Sequence, residues 1–196
     1  MNNIITQTFP APPINTNEIL RYATANRDEQ TLILLDECIK EASDILNYKV
    51  CYCILDFKLH KNVCNFDSFS VTSQNLSKNL KDCSKVIIMG ATVGVGLDRL
   101  ISKYSHISPA KALLLQAFGA ERIEALCDAF CEHVKMSLKI ALKPRFSAGY
   151  GDLPLNVQNE IFKLLDCPKH IGLTLNDSLL MSPSKSVTAF IGIQEV

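Results

Sequence analysis

The sequence predicts an α+β fold, mixed helices on a mainly antiparallel sheet with one long central helix. Three observations predict it. Apolar spacing switches repeatedly between strand-like and helix-like periods, without the regular βαβ order of a parallel sheet. One stretch, opened by Ser108-Pro109 and closed by Lys143-Pro144, keeps helical spacing throughout. Two runs, residues 49–58 and 85–89, are dense in β-branched, aromatic and other apolar side chains. A doubly wound sheet is the alternative.

Taken in order, residues 1–15 form an extended N-terminal arm outside the core, because three prolines fall between Phe9 and Pro13. A single domain over residues 16–196 follows. It opens with a short helix over residues 17–25 and a second helix capped by Asp28, whose apolar positions Leu35, Cys38, Ile39, Ala42 and Leu46 share one face. The strand at 49–58 turns into another at 66–71, and a short helix spans 73–80. The strand at 85–89 runs into the glycine-containing loop Gly90 to Gly96, and a helix over 97–103 follows.

In the long helix, Ile123, Cys127, Phe130, Val134, Leu138 and Ala141 define the core face. Glu121, Glu124, Asp128, Glu132, Lys135 and Lys139 define a solvated one. Beyond Pro144 come a loop, a helix over 155–165, and strands or a hairpin over 171–193 with a turn at Ser182-Pro183-Ser184.

Composition limits the function. Lysine plus arginine equals aspartate plus glutamate at 20 each, so no global field draws the chain to nucleic acid or to an anionic membrane. No apolar run approaches the roughly 20 residues of a membrane helix, and the first 14 residues lack a basic region followed by an apolar one. A cytoplasmic protein is expected. Its eight cysteines are irregularly spaced, which predicts reduced thiols rather than a disulfide framework. The pairs Cys51/Cys53, Cys127/Cys131 and His60/Cys64 lack zinc-site spacing and point to core packing.

Two loops are candidate sites. Gly90 to Gly96 lies between a strand and a helix, but its spacing is G-x-x-x-G-x-G and it lacks a P-loop lysine, so a tight packed turn is expected. The loop Arg145-Phe-Ser-Ala-Gly-Tyr150 has more chemistry. Arg145 offers a planar fork for a carboxylate, Gly149 and Gly151 admit close backbone approach, and Tyr150 gives a flat face with a polar tip. Such groups suit an amino acid joined to a base. The competing reading is a surface arginine paired with Asp152.

The run RFSAGYGDLP, the helix NVQNEIFKLLD, and HIGLTLNDSLLMSPSKSVTAFIG together resemble the activation domain of cobalamin-dependent methionine synthase. That family has an RxxxGY element, a helix, an M-x-P turn and an S-V strand in this order. The preceding ERIEALCDAFCEHV is similar as well, and short stand-alone members continue the likeness through VIIMGATVGVGLDRLI. The resemblance implies an activation-type domain that binds S-adenosylmethionine. Arg145 would hold the methionine carboxylate, Ser147 and Gly149 would act through backbone, Tyr150 would lie against the adenosine, and Glu124 would face the amino group. The family's proline after GY is Gly151 here, which implies a looser loop.

It also implies a role in reductive methylation, and so reactivation, of cobalamin carried by a methionine synthase or another corrinoid protein, with a flavodoxin-like electron donor. No D-x-H-x-x-G cobalamin box is present, since Asp56 and His60 are spaced differently. The corrin is therefore expected to come with the partner. Two other classes stay open: a methyltransferase with its own acceptor, and a docking subunit without nucleotide.

Overall fold

The computed structural model describes residues 3–194; residues 1–2 of the arm and 195–196 of the domain lie outside the described residues. Strand β2 (Lys49–His60) carries buried side chains on both faces over its first half and on one face over its second. The first half therefore lies between two layers. Strand β5 (Lys85–Thr92) runs antiparallel to it and is buried almost throughout, with Ile87 and Met89 on one face and Val86 and Ile88 on the other.

The other strands are β1 (Ile5–Thr8), β3 (Val63–Phe66), β4 (Ser70–Thr72), β6 (Ala141–Leu142) and β9 (Ser186–Gln194). The sheet order is β4-β3-β2-β5-β9-β6, with β1 added to β2, and all these pairs are antiparallel. A small separate ribbon pairs β7 (Thr174–Leu175) with β8 (Met181–Ser182).

Helices cover both faces. On one, α1 (Thr16–Ala23), α2 (Glu29–Ser43), α4 (Gly96–Ile107) and α5 (Pro109–Leu138) enclose a core that includes Ile19, Leu35, Leu97, Phe118 and Phe130. On the other, α3 (Gln74–Asn79), α6 (Val157–Leu165) and α7 (Cys167–Ile171) pack over Cys51, Cys53, Phe66 and Phe190. The predicted α+β class with one long helix is the observed one.

Several boundaries move. The arm is extended but contributes to the core: Ile5–Thr8 pairs with β2 and Phe9 is buried against Phe130. The strand expected at 66–71 is a hairpin, β3 and β4, turning at those residues. Helix α5 stops at Leu138, five residues before the predicted lysine-proline stop, because Lys139 takes a left-handed conformation at φ 54°. Leu138 is therefore half exposed, and Ala141 belongs to β6. The turn at Ser182-Pro183-Ser184 joins β8 to β9, which pair with different strands.

Asp28 caps α2 by accepting from the Thr31 amide at 2.8 Å, as its position predicts. Ser108 precedes α5 but makes no side-chain cap bond. The Gly90 to Gly96 segment is a packed turn. Gly90 lies within β5, and a Cβ at Gly96 would stand 2.6 Å from the Ile45 carbonyl oxygen. All eight cysteines are free, and burial pushes the Cys53 thiol up to about 12.

Candidate functional site

The site begins at the edge of the sheet. Phe146 bridges to Phe190 of β9 through two backbone hydrogen bonds, 2.9 and 2.8 Å, which fixes where residue 145 leaves the sheet. The Arg145 side chain lies against α5. Its Nη2 donates to Glu124 Oε2 at 2.7 Å and its Nη1 to Asp128 Oδ1 at 2.5 Å, with Cys131 Sγ at 3.9 Å. Glu124 and Asp128 are four apart and share a face of the helix, so one fork spans both. Burial acts against the Arg145 charge, yet the Asp128 hydrogen bond and its neighbours hold the guanidinium above its ordinary pKa. The Arg145 side chain thus reaches back over the polar face of α5 and meets Glu124 there.

Ser147, Gly149 and Tyr150 belong to a separate turn. The Tyr150 amide donates to the Ser147 carbonyl at 3.1 Å, and the Gly149 amide to that of Leu153 at 2.9 Å. Gly149 sits at φ 85° and Gly151 at φ 57°. Tyr150 is 72% exposed, its ring edge-on to Phe146 at 5.9 Å. Its flat face is accessible. No hydrogen bond joins these three residues to Glu124 or Asp128 among the described residues.

Two sequence expectations are corrected. Asp152 does not pair with Arg145. It anchors the loop to α3, accepting from Ser73 Oγ at 2.5 Å and from the Gln74 and Asn75 amides at 2.6 and 3.0 Å. Nor does Gly151 loosen the loop: a proline there would be excluded by the positive φ, and a Cβ would run into the Asn75 side chain. The loop is pinned from the far layer.

The sequence reading also missed a neighbour. Glu121, expected on the solvated face, is buried and paired with the fully buried Arg122. Arg122 donates to the Pro12 and Pro13 carbonyls at 2.6 and 2.7 Å, and Glu121 accepts from the Asn15 amide at 3.0 Å. This clamp lays the proline arm across α5. Between the arm, α1 and α5 it leaves a groove of about 540 Å³ whose lining includes Glu18, Tyr22, Glu124 and Asp128. A second groove, about 440 Å³, lies on the other side of the Arg145 contact and is lined by Asp128, Lys135, Lys143 and Arg145 among others.

A guanidinium beside a helix-borne carboxylate can receive both ends of an α-amino acid, carboxylate on the arginine and ammonium on the glutamate. The donor set fits the amino-acid end of such a ligand. Sheet, helical layers and edge loop define an activation-domain-like α+β fold. One solved structure it is similar to is that of the MetH reactivation domain bound to AdoHcy, matched with a TM-score of 0.70 over 97% of this chain and 78% of that one, at 14% identity. No protein-family model and no curated protein matches the sequence.

Proposed function

We propose that this chain binds S-adenosylmethionine at the Arg145 loop and presents it for the reductive methylation that reactivates cobalamin on a methionine synthase or another corrinoid protein. The observation that carries the reading is the Arg145–Glu124 contact, in a fold shared with a reactivation domain. In this reading Arg145 grips the methionine carboxylate and Glu124 takes the ammonium. Ser147 and Gly149 approach the ligand through backbone, and the exposed ring of Tyr150 covers the adenosine. Cobalamin held by the partner would supply a cobalt nucleophile, formed by an unfavourable one-electron reduction, that takes the sulfonium methyl group and leaves S-adenosylhomocysteine. A flavodoxin-like donor returns that electron, and the reaction belongs to the cytoplasm. This chain's own work is to bind and orient.

Titration calorimetry with S-adenosylmethionine is the first test. Binding is expected, and Arg145→Ala should weaken it by about 2 kcal/mol through loss of a charged hydrogen-bonded pair. An unchanged affinity would remove the site. No binding at millimolar ligand would leave only a docking role. The functional test is recovery of turnover by an oxidised methionine synthase lacking its own activation module when this chain is added.

A further inference from the structure

The Arg145 fork is already occupied. Each terminal nitrogen holds a carboxylate from α5, Nη1 that of Asp128 and Nη2 that of Glu124. A ligand carboxylate of the kind proposed above therefore meets a competitor built into the chain. The two carboxylates are not equivalent. The Asp128 side chain is 71% exposed against 47% for Glu124, and Asp128 lines both grooves that flank the fork. Beyond Arg145, neither carboxylate has another hydrogen-bond partner among the described residues. An exposed side chain changes rotamer in nanoseconds or less, and a released Asp128 can turn into the second groove, whose wall holds Lys143 beside the paired Lys135 and Glu132.

We propose that Asp128 is a specificity-determining residue: it fills the carboxylate subsite on Arg145 and is exchanged for the carboxylate of the ligand, while Glu124 stays. The proposal rests on the S-adenosylmethionine reading. It makes the site select ligands that carry a carboxylate, because only these offer Arg145 a replacement for what it gives up. A nucleoside without one leaves the Asp128 contact in place.

The experiment compares the whole chain with its Asp128→Asn variant, using calorimetry with S-adenosylmethionine and with carboxylate-free 5′-methylthioadenosine. Labelling of Arg145 by phenylglyoxal, read by mass spectrometry without ligand, is the third measurement. Removing the competitor should tighten S-adenosylmethionine about two- to fivefold, the range of an exposed ion pair. It should leave 5′-methylthioadenosine unchanged and speed the labelling. A gain confined to the carboxylate ligand cannot come from loss of structure. Equal or weaker binding of S-adenosylmethionine by the variant overturns the exchange, even where Arg145→Ala shows that the binding site itself is right. An unchanged labelling rate also overturns it, since Asp128 then does not hold Arg145. If neither chain binds S-adenosylmethionine, the binding reading falls and the exchange with it.

Discussion

Two arginine–carboxylate systems meet on α5, Arg122 with Glu121 within the helix and Arg145 reaching in from the edge loop to Glu124 and Asp128, and they differ in almost every physical respect. Arg122 and Glu121 have side chains 1% and 5% exposed, and their hydrogen-bonding groups meet each other, the backbone of the arm and the Tyr48 hydroxyl. Arg145 is 23% exposed, and its two carboxylate partners open onto grooves. The first system is buried and saturated, although Glu121 reaches the wall of the groove between the arm and α5. The second holds its charges in a form that solvent, or a competing carboxylate, can replace. The difference teaches that helix position alone does not decide the role of a charged residue; burial and saturation decide it.

Unfolding measurements on variants of the two arginines test this contrast. Arg122→Met leaves Glu121 buried without its counter-charge and frees two carbonyls of the arm, a change expected to cost about 3–5 kcal/mol in denaturant unfolding. A loss below about 1 kcal/mol, the scale of a surface pair, would show that the clamp is not what holds the arm. Arg145→Ala should cost no more than about 1 kcal/mol in the same measurement, because its partners remain solvated. Should it destabilise as much as Arg122→Met, Arg145 is a structural anchor, and its loss of ligand affinity would have to be read as a folding defect.

Much of this arrangement was legible before the structure. Asp28 announced a helix start by residue type and position, and the apolar runs of β2 and β5 announced central strands. Spacing put Glu124 and Asp128 on one polar face, which the Arg145 fork spans. Glu121 was not legible, for two reasons. Adjacent residues on a helix diverge by about 100°, so Arg122 gives no signal of pairing with it. Its other partner, the Asn15 amide, lies 106 residues away in sequence. The end of α5 was hidden because Lys139 does by left-handed geometry what glycine usually does. Asp152 was drawn to Arg145 by nearness in sequence, whereas Ser73 and the first amides of α3 hold it from the opposite layer.

Asp152 separates the two variables, being exposed like Asp128 but saturated like Glu121. Hydrogen bonds from Ser73 and from the Asn75 and Gln74 amides hold its carboxyl below the ordinary value of 3.8. The folded state therefore gives up this proton more readily than the unfolded chain. The contribution is complete above the ordinary value and fades as pH falls through the lowered folded one. Asp152→Asn keeps the shape but removes the charge, so the stability difference between wild type and variant should be steady at neutral pH and shrink below about pH 4. Taking the difference cancels the other carboxylates, which titrate in both proteins. A difference that is absent at neutral pH would mean that saturation without burial contributes nothing. One that persists undiminished in acid would mean that the variant loses stability by setting an amide NH2 donor where Asp152 offers a second acceptor oxygen to Ser73 and the α3 amides, and not by losing the charge.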